Sequence, residues 1–277
     1  MMAKKVLVTG LSGTVGATLR GEFEQRYELS SLSRYGCPGI PAARDHRGNI
    51  ADIDTLIPAF KGQDVVVHLA ADRSATADWE SALRNNFVGT YNVFEAAKRT
   101  GVKRVVFGSS QHAVGGNYLD SPYRWIGAGE FDRVERPYPL LDETTPIRPS
   151  GYYGASKAYG EALGSVYKDY HGVQSIHLRI GWTISNDVPT FSGFGLALWL
   201  SHRDTEQIHR LAVDALDDLD YAVVYAMSDN YWSIFSVDRA RALLGYQPQD
   251  DAGPELDPNA VLPERDATEF KVHPEDP

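Results

Sequence analysis

Residues 4–16 read Lys4-Lys5-Val6-Leu7-Val8-Thr9-Gly10-Leu11-Ser12-Gly13-Thr14-Val15-Gly16. A short, partly β-branched apolar run is followed by three glycines at Gly-x-x-Gly-x-x-Gly spacing, and a helical pattern then continues to about Arg26. Glycine lets the backbone turn sharply, and a helix start offers unpaired N–H groups to an anion. The segment predicts a strand, a tight turn and a helix that can accept a pyrophosphate. An ordinary strand-to-helix turn is the alternative for the glycines taken alone.

Short apolar runs alternate with helical patterns along most of the chain. The patterns predict further strands at 29–32, 64–69, 104–107, 175–180 and 223–226, and helices at 54–61, 78–100, 152–171 and 237–244. Strands that alternate with helices are typical of parallel sheets with helices on both faces. The sequence therefore predicts an α/β fold with a Rossmann-like, doubly wound parallel sheet.

Two segments differ from this pattern in composition. Residues 115–150 are rich in proline and glycine with mixed charges, which predicts a long loop without regular elements, of the kind that forms functional lids or is disordered. Residues 249–277 combine many acidic side chains with five prolines and little apolar content. We expect them to form a disordered, solubilising tail.

The charge distribution excludes some partners. The chain has a formal net charge of −10, and most of it belongs to the acidic tail, so that the rest of the chain is nearly balanced. With no surplus of positive charge, the sequence predicts neither a nucleic-acid partner nor a membrane-surface partner. We expect a small-molecule partner, and the sequence leaves a homodimer open.

Cysteine and histidine usage argues against disulfides and metals. Cys37 stands alone, which excludes an intrachain disulfide, and the eight histidines lack the spacing of a metal site. No apolar run reaches the length of a membrane span, and the start of the chain does not resemble a signal peptide. We therefore expect a cytoplasmic protein without a metal.

The end of the second predicted strand indicates the type of dinucleotide. NAD sites place an acidic residue there for the ribose hydroxyls, whereas an arginine suits a 2′-phosphate. This chain has Leu32-Ser33-Arg34. Because Arg34 can bind a phosphate bidentately and no carboxylate repels it, the sequence predicts a preference for NADP, with NAD as the second choice. The alternative is that Arg34 is a solvated surface side chain.

Three residues form a candidate catalytic group. Tyr153 and Lys157 lie four residues apart on one face of a predicted helix, where the ammonium group favours the phenolate and suits it to proton transfer. Ser110 stands at the carboxyl end of a predicted strand, the edge at which open parallel sheets bind ligands. Ser110 could hold a substrate oxygen against Tyr153.

Several motifs resemble those of one family, the extended short-chain dehydrogenases/reductases of the epimerase/dehydratase superfamily. The matching motifs are Thr9-Gly10-x-x-Gly13-x-x-Gly16, His68-Leu69-Ala70-Ala71, Asn86-x-x-Gly89-Thr90-x-Asn92, Ser109-Ser110, Tyr153-x-x-x-Lys157 and Arg239-Ala240-x-x-Leu243-Leu244-Gly245-Tyr246-x-Pro248. The resemblance implies a single domain over residues 1–248 with a small C-terminal substrate-binding portion, and it places the loop 115–150 near the active site. The Ser109-Ser110-Gln111-His112 and Trp199-Leu200-Ser201-His202 stretches further resemble uronate dehydrogenases and haloarchaeal-type glucose-6-phosphate dehydrogenases.

The resemblance also implies roles for individual residues. The catalytic residues would be Ser110, Tyr153 and Lys157, and the substrate-binding residues Ser110, Gln111, His112 and Tyr153. The cofactor-binding residues would be Gly10, Gly13, Thr14, Val15, Gly16, Ser33, Arg34, Asn49, Ile50, Leu69, Ala70, Ala71, Asn86, Ser109, Tyr153, Lys157 and Ile180. A loop histidine that pairs with the backbone is the alternative for His112.

The chain departs from these relatives at three places. They carry an aspartate at the position of Ser33 and use NAD, and uronate dehydrogenases carry a carboxylate-binding arginine where Phe194 stands here. The loop 115–150 is also longer than expected. If it caps the site, Arg124, Arg133 and Arg136 could bind an acidic or phosphorylated substrate; otherwise they pair with neighbouring acids.

The sequence thus predicts an NAD(P)-dependent oxidoreductase that moves hydride between the nicotinamide and a hydroxyl of a sugar, sugar acid or sugar phosphate, with oxidation at C1 of an aldose favoured. Tyr153 would be the general acid/base. Two alternatives remain: a sugar-nucleotide epimerase or dehydratase that keeps its cofactor bound, and a non-catalytic dinucleotide sensor.

Overall fold

The sheet of the computed structural model has seven parallel strands. The structure describes residues 3–73, 78–264 and 266. The strands are β1 (Lys5–Thr9), β2 (Glu28–Ser33), β3 (Asp45–Arg47), β4 (Val65–His68), β5 (Arg104–Ser110), β6 (Gln174–Ile180) and β7 (Tyr221–Ala226). Their order across the sheet is β3-β2-β1-β4-β5-β6-β7. The predicted doubly wound parallel sheet is confirmed.

Helices cover both faces of this sheet. They are α1 (Thr14–Arg26), α2 (Ile53–Phe60), α3 (Trp79–Ser81), α4 (Gly89–Thr100), α5 (Tyr123–Gly127), α6 (Gly151–His171), α7 (Gly193–Leu198), α8 (His202–Val213) and α9 (Asp238–Leu244). A π-helical stretch, Ala82–Val88, joins α3 to α4, so the helix predicted at 78–100 is one element with a wider turn inside it. Among the described residues, no helix combines the length and the apolar character that crossing a membrane requires.

The strand order reverses between β1 and β4. The chain moves outward from β1 through β2 to β3, then returns to place β4 on the other side of β1. Loops that leave the carboxyl ends of β1 and β4 therefore diverge and open a crevice, which is the usual ligand position in such sheets. The glycine turn and residues 69–73 follow these two strands, and both lie at that edge.

Sequence reasoning missed β3, α7 and α8. Strand β3 has only three residues, all polar, and its parallel pairing with β2 is set by tertiary contact. Helix α8 did carry a signal: Ser201 accepts a hydrogen bond from the backbone N–H of Asp204 at 3.0 Å, the arrangement of an N-cap. Apolar residues that include Ile208 and Ala212 then face the core at helical spacing.

Residues 115–150 differ from the long loop without regular elements that the sequence predicts. They form short helical turns at Gly115–Leu119 and Phe131–Arg133 in addition to α5. Tyr118, Tyr123 and Ile126 are buried, which anchors the segment on the core. The expectation failed because these scattered apolar residues join the larger apolar core of the protein, where α5 also contacts α7.

The described part of residues 249–277, for which the sequence predicts disorder, forms hydrogen bonds with the body of the protein. Asp250 accepts hydrogen bonds from Ser201 Oγ at 2.7 Å and from Arg203 Nε at 3.1 Å. Further along, Trp232 Nε1 donates to the Pro254 carbonyl at 2.9 Å, and the Asp257 amide donates to the Thr190 carbonyl at 3.0 Å. Polar contacts with the body thus replace the apolar content that the tail lacks. Residues 265 and 267–277 lie outside the described residues.

Gly16 tests how tightly α1 packs against the turn that precedes it. A Cβ at Gly16 would lie 2.5 Å from the Gly10 carbonyl oxygen and 2.6 Å from Leu11 Cα, both rigid backbone atoms. We expect Gly16→Ala to lower the free energy of unfolding by about 2 kcal/mol or more, measured by urea denaturation.

Gly21 of the same helix is the matched control, because a Cβ there meets nothing within 4 Å. Gly21→Ala should raise the free energy of unfolding by about 0.5–1 kcal/mol, the ordinary helix gain. Equal effects at the two positions would contradict the packing described for Gly16.

Candidate active site

A cavity of about 570 Å³ opens at the crevice between β1 and β4. One end lies over the glycine turn and the end of β2, and the other lies against the end of β5 and the start of α6. Nearly all the residues that the sequence singles out line it: Gly10, Gly13, Thr14, Val15, Gly16, Ser33, Arg34, Asn49, Ile50, Leu69, Ala70, Ala71, Ser109, Ser110, Gln111, His112, Tyr153, Lys157 and Ile180.

The glycine turn is shaped by close backbone contacts. Gly10 has φ +78°, and a Cβ there would lie 2.8 Å from the Ala70 amide nitrogen. Gly13, the N-cap of α1, is more open: the only atom within 4 Å of a Cβ on it is the Gly10 carbonyl oxygen, at 3.3 Å. As a glycine, Gly13 forms no side-chain cap at the start of α1. The turn therefore leaves the positive end of the α1 dipole facing the cavity.

Two arginines are neighbours of Ser33, at the same end of the cavity as the glycine turn. Arg34 is exposed and lines the cavity, and its guanidinium carbon lies 5.6 Å from the centroid of the Tyr35 ring. Arg47 on β3 is the register partner of Ser33. The Ser33 hydroxyl is buried and has no hydrogen-bond partner among the described residues. Strand β3, which sequence reasoning missed, thus adds a second cation beside Ser33.

Lys157 lies buried at the end of the cavity that Ser110 and Tyr153 line. Its ammonium group donates to the Gly108 carbonyl at 2.6 Å and lies 5.2 Å from the centroid of the Tyr153 ring. Burial, together with the positive charge of Arg73, lowers the pKa of Lys157 to about 7. A buried ammonium of this kind gives up its proton more readily than a solvated one, and any negative charge that forms beside it favours its charged form.

Ser109 and Ser110 end β5 but point to different partners. The Ser109 hydroxyl donates to Glu161 at 2.6 Å, and Glu161 is held in turn by two hydrogen bonds of 2.9 Å from Arg179. The Ser110 hydroxyl accepts from the His112 amide at 3.2 Å. The buried Glu161–Arg179 pair therefore fixes β5 to α6 and β6, and through them it fixes the distance between Ser110 and Tyr153.

Two side chains of the segment 115–150 form hydrogen bonds with Gln111 and His112. Tyr118 donates its hydroxyl to Gln111 Oε1, while Gln111 Nε2 is buried and has no hydrogen-bond partner among the described residues. His112 Nδ1 lies 2.7 Å from Ser150 Oγ, and its ring packs edge-on against Tyr153 with centroids 5.6 Å apart. Burial lowers the pKa of His112 to about 4, so the ring is neutral at physiological pH.

The arginines of the segment 115–150 do not face the cavity. None of the residues that line it, among those described, belongs to this segment. Arg133 pairs with Glu130, and Arg136 stacks over the Tyr231 ring at 4.0 Å. The segment supports the site through Tyr118 and Ser150 rather than capping it.

Asn86 is the one predicted site residue that the structure does not bring to the cavity. Its side-chain oxygen accepts from the Asp72 amide at 2.7 Å, and its side-chain nitrogen donates to the Asp72 carbonyl at 2.9 Å. The π-helical turn directs it there, so Asn86 shapes the loop after β4, while its neighbour Asn85 lines the cavity. Sequence reasoning also missed other lining residues, namely Ser12, Leu32, Tyr35, Gly36, Gly48, Asp72, Arg73, Gly108, Gly181, Trp182 and Thr183. All of them stand within a few positions of predicted site residues.

Comparison with known proteins defines the family. The model of the NAD dependent epimerase/dehydratase family matches residues 6–195. The chain belongs to this family. The NAD-dependent glucose-6-phosphate dehydrogenase of Haloferax volcanii is 38% identical over 259 residues, which covers 91% of this chain and 95% of the relative. The resemblance inferred from the sequence motifs is thereby confirmed.

Further relatives lie in the same part of the family. The L-arabinose 1-dehydrogenase (NAD(P)(+)) of Haloferax volcanii is 34% identical and covers 90% of this chain and 97% of its own. The crystal structure of uronate dehydrogenase from Agrobacterium tumefaciens superposes with a TM-score of 0.72 at 29% identity, over 94% of this chain and 93% of that one. Similarity to all three extends over nearly the whole chain.

Metal ligands do not cluster in the part of the chain that the structure describes. No group of three or more histidine, cysteine or carboxylate side chains stands close enough there to hold an ion. Cys37 is buried and is not among the lining residues. Apart from the Asp72 carboxylate and the His112 ring, the polar side chains that line the cavity are hydroxyls, amides and cations, which suit a phosphate-bearing ligand and a polyhydroxy one.

Four buried histidines predict how stability depends on pH. Burial lowers the pKa of His68 and His177 to about 3 and of His112 and His209 to about 4. Because the unfolded chain binds protons with an ordinary pKa near 6.5, the stabilisation is complete above that pH and is lost as the pH falls toward 4. We expect the free energy of unfolding to drop by about 2 kcal/mol for each ring between pH 7 and pH 5, or roughly 7 kcal/mol for all four. Urea denaturation across this range measures it, and a flat profile would show that these rings do not stay neutral in the folded protein.

Proposed function

We propose that the protein is an NADP-preferring dehydrogenase that oxidises the C1 hydroxyl of a cyclic sugar. One observation carries the proposal: the glycine turn and Arg34 line one end of a cavity whose other end is lined by Ser110, Tyr153 and Lys157. A nicotinamide dinucleotide has its phosphates at one end and its reactive ring at the other, and a single cavity that offers both sets of groups fits such a molecule.

Several features of the cavity support a bound dinucleotide. Gly13 leaves room at the positive end of α1 for a pyrophosphate, and the buried Ser33 hydroxyl lacks a partner among the described residues, as expected of a group that awaits a ribose or its phosphate. Asn49 and Ile50 would flank the adenine, Leu69 to Ala71 would pass the ribose, and Ile180 would lie near the nicotinamide. When bound, the cofactor supplies the hydride acceptor.

The side chains of this protein would handle the proton and the geometry. Ser110 would hold the sugar hydroxyl against Tyr153, and the Tyr153 phenolate would take the hydroxyl proton as the C1 hydride leaves. Lys157, held by the Gly108 carbonyl, places its ammonium group below Tyr153 and stabilises the phenolate. In the reverse direction Tyr153 returns the same proton to the carbonyl oxygen.

Sugar substrates are supported by the relatives. Their names give glucose 6-phosphate, L-arabinose and uronate as substrates. Gln111 Nε2, buried and without a hydrogen-bond partner among the described residues, is placed to donate to a sugar hydroxyl.

Arg73 favours a sugar with an anionic substituent. It lines the cavity and lies near enough to Lys157 for its charge to lower the pKa of that lysine, which places it toward the catalytic end. Phe194, at the position where uronate dehydrogenases carry a carboxylate-binding arginine, packs instead against Tyr118 and Trp182. Arg73 would therefore take over the recognition of a sugar phosphate or sugar acid.

The preference for NADP rests on the surroundings of Ser33. Its hydroxyl replaces the acidic residue that would repel a 2′-phosphate, Arg34 lines the cavity next to it, and Arg47 is its register partner on β3. A guanidinium group can bind a phosphate dianion through two charge-assisted hydrogen bonds, and a second cation nearby favours the same anion.

The two alternatives are separated by the products. An epimerase or dehydratase would copurify with its cofactor and show no net reduction of it, and a dinucleotide sensor would bind cofactor without turnover on any sugar. The complete set of Ser110, Tyr153 and Lys157 at one end of the cavity favours the dehydrogenase over the sensor.

Tyr153→Phe tests the catalytic role. Removing the hydroxyl eliminates the proton acceptor but leaves the ring in place, so we expect kcat to fall by about 100-fold or more while the Kd for NADP⁺ stays unchanged. Reduced-nicotinamide absorbance gives the rate, and fluorescence titration gives the Kd. Tyr152→Phe at the neighbouring, half-exposed tyrosine is the control and should retain activity. Near-full activity of Tyr153→Phe would overturn the mechanism.

Arg34→Ala tests the choice of cofactor. Losing a bidentate phosphate ligand should reduce kcat/KM for NADP⁺ by about 10-fold or more and leave kcat/KM for NAD⁺ nearly unchanged. Arg26→Ala removes an arginine that pairs with Glu22 on α1, and it should alter neither value. An unchanged ratio of the two efficiencies in Arg34→Ala would refute the assignment of the 2′-phosphate.

A further inference from the structure

The C-terminal segment, defined here as residues 249–264 and 266, ends beside the glycine turn. It follows the body of the protein through Asp250, Pro254 and Asp257, whose contacts are given above, and Leu262 packs against the larger apolar core. The Asp266 amide then donates to the Pro263 carbonyl at 2.8 Å, which turns the chain inward. The C-terminal segment therefore runs from its contacts with the start of α8, at Asp250, to the start of α1.

The Asp266 carboxylate is fully buried against donors of the body. Its Oδ2 accepts from the Ser185 amide at 3.0 Å and from the Ser185 hydroxyl at 2.6 Å, and its Oδ1 accepts from the Thr14 hydroxyl at 3.5 Å. No lysine or arginine among the described residues forms an ion pair with it. A buried carboxylate without a cation needs another source of positive potential.

The start of α1 provides that potential. Thr14 is the first residue of this 13-residue helix, and no side chain caps the helix at Gly13. The positive end of the dipole stabilises an anion within the first turn. The same end, through Gly13 to Gly16, is where the proposed pyrophosphate would bind, and Thr14 itself lines the cavity. The Asp266 carboxylate and the proposed pyrophosphate would thus both be stabilised by the positive end of α1. The Asp266 carboxylate also accepts a hydrogen bond from the Thr14 hydroxyl.

We propose that the C-terminal segment is autoinhibitory: it seats the Asp266 carboxylate at the start of α1, where the negative charge weakens binding of the dinucleotide pyrophosphate. The proposal rests on the proposed dinucleotide function. Displacement of the segment, or loss of the charge, would raise the affinity of the protein for its cofactor. The negative charge of the C-terminal segment would thereby lower the affinity of the site for the negatively charged dinucleotide.

Asp266→Asn tests the proposal by removing the charge while keeping an acceptor for Ser185. We expect the Kd for NADP⁺, measured by titration calorimetry, to fall by about five-fold or more, because a full negative charge near two phosphates is removed. Asp266→Ser, which is shorter, should give the same direction. Glu264→Gln changes the net charge of the same segment at an exposed position and should leave the Kd unchanged.

Adenosine 2′-monophosphate separates the pyrophosphate effect from general electrostatics. It carries the adenosine and the 2′-phosphate but no pyrophosphate, so its Kd should be the same in wild type and Asp266→Asn. The proposal is overturned if Asp266→Asn leaves the Kd for NADP⁺ unchanged or raises it, or if Glu264→Gln or the monophosphate shows the same gain. If wild type and all variants bind neither NADP⁺ nor NAD⁺, the dinucleotide function itself is refuted, and this inference falls with it.

Discussion

The close approach of the Gly10 turn to the loop after β4 sets the shape of the site. A Cβ at Gly10 would lie 2.8 Å from the Ala70 nitrogen, so the two loops touch through backbone alone. This contact lies where the strand order reverses, and the chain on either side diverges from it to open the cavity. Because α1 begins immediately beyond the turn, its positive end faces the same space. The position of the cavity thus follows from the strand order, and its shape follows from the glycines of the turn after β1.

The opposite end of the cavity depends on buried polar groups. Lys157 holds the Gly108 carbonyl, and the Glu161–Arg179 pair fixes α6 against β5 and β6. Removing one partner of such a pair would leave a buried charge unpaired, which is strongly destabilising. The pair therefore holds these elements together, and their positions determine where Ser110 and Tyr153 lie. Burial at this end of the cavity also lowers the pKa of Lys157.

The sequence was sufficient to predict the sheet, the family and most of the residues that line the cavity, because these follow from local patterns and from motif spacing. What it could not predict depends on contacts between distant segments. Strand β3 is short and polar, and its pairing places Arg47 beside Ser33. Asn86 carries a family motif, yet a π-helical turn directs its amide to Asp72. The segment 115–150 and the acidic tail looked irregular by composition, but both are ordered by packing and hydrogen bonds with the body.

The central claim is that hydride passes from C1 of a sugar to a nicotinamide in this cavity. Aldoses, uronates and sugar phosphates labelled with deuterium at C1 test it directly when they are incubated with NADP⁺ and the purified protein. We predict that NMR will show deuterium at C4 of the reduced nicotinamide, together with the matching lactone or its hydrolysis product. Bound cofactor with no transfer from any of these sugars, or an epimerised sugar with no net reduction, would contradict the account.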